Sequence, residues 1–114
     1  MARHLVMQLL RWKLGFSADT LATLCRRLEI RRLYAFGSVL RNDFGPASDI
    51  DLVAKFESDA SVSLFRHLDV EAEFSALFGR PVDLLTEGAV RRGQNVLLRD
   101  EVLSTRSLIY ARQA

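Results

Sequence analysis

Hydrophobic positions along the chain follow two periods, and the switches between them mark the elements. Ala18, Leu21, Ala22, Cys25 and Leu28 recur at helical spacing, with Ser17 or Asp19 placed to cap the start. Ile30 to Phe36, rich in branched and aromatic residues, reads as a strand that Gly37-Ser38 breaks. Val39 to Asn42 suits a short helix before the turn Asp43-Phe44-Gly45-Pro46. From about Asp49 to Phe56 the period is two: Ile50, Leu52, Ala54 and Phe56 share one face, and Asp49, Asp51 and Val53 the other. Helical spacing returns from about Val62 to Phe78. Leu64, Phe65, Leu68, Ala72, Leu77 and Phe78 are expected mostly on its apolar side, and Arg66, Asp69, Glu71 and Glu73 on its polar side. Gly79-Arg80-Pro81 ends that helix, and Val82 to Leu85 makes a short third strand. Thr86 is placed to cap a helical piece from Glu87, Asn95 to Leu103 reads as helix, and Leu108-Ile109-Tyr110 as a last edge strand.

Helix, strand, short helix, strand, helix, strand, helix is the order of an α/β (α+β) layer, with helices packed on a small mixed sheet. Residues 18–114 are expected to form one domain. Residues 1–17 stand apart as an N-terminal segment in which Leu5, Val6, Leu9, Leu10 and Leu14 fall near one helical face, suiting a short helix that packs on the domain or on a partner. That apolar run is too short and too broken for a membrane span, and it lacks the small-residue site of a signal peptide.

Composition narrows the picture only slightly. With 114 residues the chain fits one domain with a modest core, and 49% hydrophobic residues speak against disorder. A net charge of +2 is too even to argue for nucleic-acid binding, and Arg26-Arg27, Arg31-Arg32 and Arg91-Arg92 read more readily as solvated doublets. One cysteine permits no internal disulfide, which fits a reducing cytoplasm, and Cys25 reads as a small buried hydrophobe. His4 and His67 lack metal-ligand spacing; His67 stands one turn before Glu71, where a surface pair is expected.

The candidate chemistry lies in the acidic strand positions. Residues i and i+2 of a strand point the same way, roughly 7 Å apart, so Asp49 and Asp51 share a face. Two carboxylates there are costly unless they face water or a cation. Mg²⁺ takes one or two carboxylates together with substrate phosphates, and a pair of such ions suits in-line displacement at phosphorus. Gly37 at the end of the preceding strand lets backbone approach a phosphate, while the turn behind it and the Ser38 hydroxyl offer donors. Asp83 is the lone acidic residue in Val82-Asp83-Leu84-Leu85. It either faces water on an edge strand or, if its strand neighbours that of Asp51, joins the same site and helps accept a proton.

Gly37-Ser38, ten intervening residues, then Asp49-Ile50-Asp51-Leu52 resembles the signature of the DNA polymerase β-like nucleotidyltransferase superfamily. The strand ending in Phe36, Ser48 just before Asp49, and the later isolated Asp83 are similar too, so the resemblance covers about residues 18–110. At this length no acceptor-binding helical domain is expected, and the chain resembles the minimal nucleotidyltransferases, or MNT proteins, which often work beside a HEPN-domain protein. The resemblance implies a nucleotidyltransferase fold, two Mg²⁺ ions on Asp49, Asp51 and Asp83, and ATP as substrate with its β- and γ-phosphates on Gly37, Ser38 and Arg41. It implies transfer of AMP to a tyrosine of a HEPN-type RNase toxin, in a cytoplasmic hetero-oligomer where this chain is the antitoxin. One departure stands out: Gly37-Ser38-Val39-Leu40-Arg41-Asn42 has Leu40 and Asn42 where the family pattern has small residues. Two rival expectations are an inactive antitoxin that neutralises by binding alone, and a nucleotidyltransferase acting on a small molecule or RNA.

Overall fold

The computed structural model describes residues 16–40, 48–57 and 63–112. Residues 1–15, read above as a candidate short helix, lie outside the described residues, as do Arg41, Asn42 and the following turn. The described elements are α1 (Ala18–Arg27), β1 (Ile30–Phe36), a 3₁₀ turn (Gly37–Leu40), β2 (Ile50–Phe56), α2 (Leu64–Phe78), β3 (Val82–Thr86), α3 (Glu87–Arg92), α4 (Val96–Thr105) and β4 (Ser107–Ala111). The four strands form one mixed sheet in the order β3-β2-β1-β4. β1 runs antiparallel to β2 and β4, whereas β2 and β3 are parallel, joined by the crossover helix α2.

Each described α-helix starts on a residue whose side chain accepts the backbone N–H three residues on, in the first turn: Ser17 from Thr20, Ser63 from Arg66, Thr86 from Ala89 and Asn95 from Leu98. Gly79 closes α2 in the left-handed region at φ 69°, which costs a glycine little. The chain then turns at once into β3.

One sheet face carries Leu33, Ala35, Ile50, Leu52, Ala54 and Phe56 and packs under α1 and α2 through Leu21, Leu24, Cys25, Val70, Phe74 and Phe78. Phe74 and Leu52 are fully buried, and each such side chain contributes about 1.5–3 kcal/mol of burial. Burial also pushes the Cys25 thiol up to about 12, so it behaves as a small core hydrophobe rather than a reactive group. The opposite face carries a smaller cluster, Val53 with Val90 of α3 and Val102 of α4, bordered by Tyr34, Phe36, Leu85 and Leu103.

The inward stripe of α2 differs from the expected one. Val70, Phe74 and Phe78 face the sheet, at i, i+4 and i+8, with Leu77 half-buried. Phe65, Leu68 and Ala72, expected inside, point outward. The helix carries two apolar stripes about half a turn apart, and the stripe with two phenylalanines and a valine wins the core.

The other polar side chains of α2 also do more than face water. β3 is an edge strand, and the Glu71 carboxylate accepts its Leu84 N–H at 2.8 Å while the Ser75 hydroxyl accepts its Val82 N–H at 3.2 Å. Donors that would otherwise be left bare on the edge are capped by the crossover helix. His67 lies 3.7 Å from Glu71, the pair expected from their spacing.

Candidate active site

Three chain segments meet at one end of the sheet: the end of β1, the start of β2 and the start of β3. β1 delivers Phe36 opposite Asp51. The next residue, Gly37, takes φ +74° and turns the chain into the 3₁₀ segment, which the buried Val39 and the half-buried Leu40 pin to the core. Leu40, which departs from the family pattern, thus packs as a core contact. A Cβ placed on Gly37 would stand 2.5 Å from Oδ2 of Asp51. Glycine is therefore required twice here, by the backbone angle and by the carboxylate lying against it.

Asp51 is half-buried, one residue inside β2. The parallel register puts Asp83 directly beside it on β3. Both belong to the face that carries Val53 rather than to the main core. The condition that the two strands neighbour each other is met, and Asp83 is at the same time exposed on the edge strand, as the alternative had it.

Asp49 sits just before β2, not within it, and is exposed. The backbone on both of its sides is held by the turn that leads into β3. Arg80 Nη1 donates to the Ser48 carbonyl at 3.4 Å, and the Ile50 N–H donates to the Pro81 carbonyl at 3.0 Å. The sequence reading treated Gly79-Arg80-Pro81 only as a helix stop. Its second task shows only once β2 and β3 are known to be neighbours.

Below the aspartates the same face continues in two further zones. Val53, Val90 and Val102 make an apolar plug. Beyond it Glu87, 5% exposed, receives Arg106 at 2.7 Å, Arg91 at 3.5 Å and Lys55 at 3.6 Å. The Arg106 guanidinium also lies over the Tyr34 ring, 3.9 Å from its centroid. Burial works to raise the Glu87 pKa, but the Arg106 hydrogen bond and the surrounding positive charges outweigh it and hold the carboxyl below its ordinary value. This network was not foreseen from sequence, where Glu87 was read only as a first-turn residue.

The carboxylates offer the hard oxygen donors that Mg²⁺ prefers, and the missing Cβ of Gly37 lets the Asp51 carboxylate lie against the backbone of the turn. Among the described residues, no group of three His, Cys, Asp or Glu side chains is gathered closely enough to hold an ion as it stands. Asp51 and Asp83 are brought together by register, and Asp49 and Asp83 are exposed. Asp49, Asp51 and Asp83 are the oxygen donors at this end of the sheet that could hold a divalent cation. The backbone of Gly37 and Ser38 is in place at this end, and Arg41 lies outside the described residues. Among the described residues no helix is long and apolar enough to cross a membrane.

The chain is similar to known proteins in sequence and in fold. The family described as nucleotidyltransferase domain matches residues 18–109. A protein adenylyltransferase MntA from Thermococcus cleftensis is 31% identical over 77 residues, covering 67% of this chain and 76% of that protein. Among solved structures, a toxin-antitoxin with AMP-PNP superposes at a TM-score of 0.65 with 18% identity, over 86% of this chain and 76% of that one. A tri-AMPylated Shewanella oneidensis HEPN toxin in complex with MNT antitoxin is similar at a TM-score of 0.57 and 18% identity, over 84% of this chain and 71% of that one. At 18% identity these two structures establish a shared fold.

Proposed function

This chain belongs to the nucleotidyltransferase domain family, and from that premise we propose that it transfers AMP from ATP to a tyrosine hydroxyl of a HEPN-type toxin and so acts as an antitoxin. The observation that carries the proposal is the junction of Gly37 with Asp51 and Asp83: a strand-end glycine without room for a side chain, against one of two carboxylates paired by register. The 31% identity to a protein adenylyltransferase supports the reaction class, and the neighbour solved with a tri-AMPylated HEPN toxin supports the acceptor.

Asp49, Asp51 and Asp83 would hold Mg²⁺ as a pair of ions, which when bound would neutralise the triphosphate and the departing pyrophosphate and acidify the acceptor hydroxyl. Gly37 and the turn behind it would bind the β- and γ-phosphates through backbone N–H groups, with Ser38 and Arg41 adding a hydroxyl and a charge. The Arg80-Pro81 turn keeps the backbone of Asp49 in register with Asp51. The tyrosine oxygen attacks the α-phosphorus, the bond from that phosphorus to pyrophosphate breaks, and Asp83 takes the hydroxyl proton. Val53, Val90 and Val102 form a rigid apolar floor beneath Asp51 and exclude water from that side. Rate enhancement then comes from positioning and charge.

Neutralisation by occlusion alone is the second reading, and the spread of the three carboxylates is what favours it. ATP labelled at the α-phosphate, offered together with Mg²⁺, a HEPN-domain protein and RNA, separates the cases. Label on the HEPN protein that disappears when its acceptor tyrosine becomes phenylalanine is the expected result. Label on RNA reassigns the acceptor, and tight binding without label supports occlusion.

A further inference from the structure

β3 is the edge strand that carries Asp83, and an edge leaves one side of its backbone without a neighbouring strand. On the inner side the parallel register with β2 holds it, placing Asp83 beside Asp51 and Leu84 beside Leu52. On the outer side the holds come from α2. The Ser75 hydroxyl accepts the Val82 N–H at 3.2 Å, and the Glu71 carboxylate accepts the Leu84 N–H at 2.8 Å. Among the described residues these are the side-chain bonds to the β3 N–H groups, and they fall just before and just after Asp83.

The spacing is that of one helix face. Glu71 and Ser75 stand four apart, so both side chains leave α2 in the same direction, while Val70 and Phe74, one residue earlier in each turn, are buried in the core. Leu84 is thereby fixed in three ways. Its side chain is 1% exposed, its strand pairs with β2, and its N–H is bound by a carboxylate. The Glu71 side chain is 22% exposed, so that bond is shielded from competing water. Asp83 is exposed and points to the opposite sheet face from Leu84. Its aim is set by the backbone on its two sides, and a ligand group displaced by about 1 Å holds its ion poorly.

We propose that Glu71 and Ser75 are positioning residues for Asp83: by tying the N–H groups on either side of it to α2, they hold its carboxylate beside Asp51 for a divalent cation. This rests on the proposed function only in that Asp83 is taken as a Mg²⁺ ligand. Carbon NMR of the Asp83 carboxyl group tests it, as Mg²⁺ is added to labelled protein with ATP and no acceptor protein. The wild type should show a saturable shift. In Glu71→Ala half-saturation should need about tenfold more Mg²⁺, the scale on which groups that orient a metal ligand act. Ser75→Ala should move it in the same direction, and Glu71→Gln, which keeps an acceptor oxygen, should restore the wild-type value. A merely weakened fold lowers the amplitude of the shift and leaves its midpoint in place. An unmoved midpoint in folded Glu71→Ala therefore overturns the proposal. So does a wild-type Asp83 signal that ignores Mg²⁺, or a midpoint that Glu71→Gln moves as far as alanine does. Mg²⁺ binding that depends on Glu71 in a protein that labels no acceptor would remove the proposed transfer and leave this assignment standing.

Discussion

Replacing Gly37 by alanine adds one methyl, and both of its consequences fall on the candidate site. The φ of +74° costs an L-residue about 1–2 kcal/mol, and the new Cβ would overlap Oδ2 of Asp51 unless that carboxylate moves. Gly37→Ala is therefore expected to lower stability by about 1–2 kcal/mol, measured by urea unfolding, and to reduce nucleotidyl transfer far more than that loss explains. Comparable activity in the folded variant would show that the Gly37–Asp51 contact is incidental. The importance of this glycine was legible in the sequence from its place between two strands. Its contact with Asp51 was not, because it depends on β1 and β2 pairing so that Phe36 faces Asp51.

At the scale of elements, the hydrophobic periods and the turn residues between them located nearly every segment, even though β2 is covered on both faces around Val53. The outcome for α2 was different, since its two apolar stripes both satisfy helical spacing and only the third dimension chooses between them. Its acidic face shows the same limit. Glu71 reads as a solvated residue, yet it caps the edge of β3 through Leu84. Glu71→Ala should cost about 1–2 kcal/mol by leaving that donor without its partner, whereas Glu71→Gln, which keeps an acceptor oxygen, should recover most of the loss in thermal melts. The junction of α3 with β2 makes a pH-dependent prediction. Because the Glu87 pKa is lowered in the folded state, its contribution is complete above the ordinary carboxyl value of 4.5 and is lost as pH falls through the lower folded value. The melting temperature of the wild-type protein should therefore fall more steeply than that of Glu87→Gln as pH drops below about 4.5. At neutral pH, Glu87→Gln should be the less stable by about 3 kcal/mol, since Arg106 and Lys55 lose a buried counter-charge. Parallel melting curves in acid would remove Glu87 as the titrating group.

For the molecule as a whole, the sheet separates two tasks. One face is given to the main core under α1 and α2, and the other runs from carboxylates through an apolar plug to a buried ion network. The alternation in β2 already announced this division, with Asp51 and Val53 on one side and Leu52 and Ala54 on the other. What the sequence lacked was strand order, and with it the pairing of Asp51 with Asp83 and the hold of the Arg80-Pro81 turn on Asp49. The central claim is that these carboxylates carry nucleotidyl transfer. It is tested most directly by following α-labelled ATP with Mg²⁺ and a HEPN-type acceptor in wild-type protein and in Asp51→Asn, whose side chain is nearly isosteric. The wild type should label the acceptor, and the variant should fold and bind as before yet leave it unlabelled. Labelling by Asp51→Asn at the wild-type rate would contradict the account.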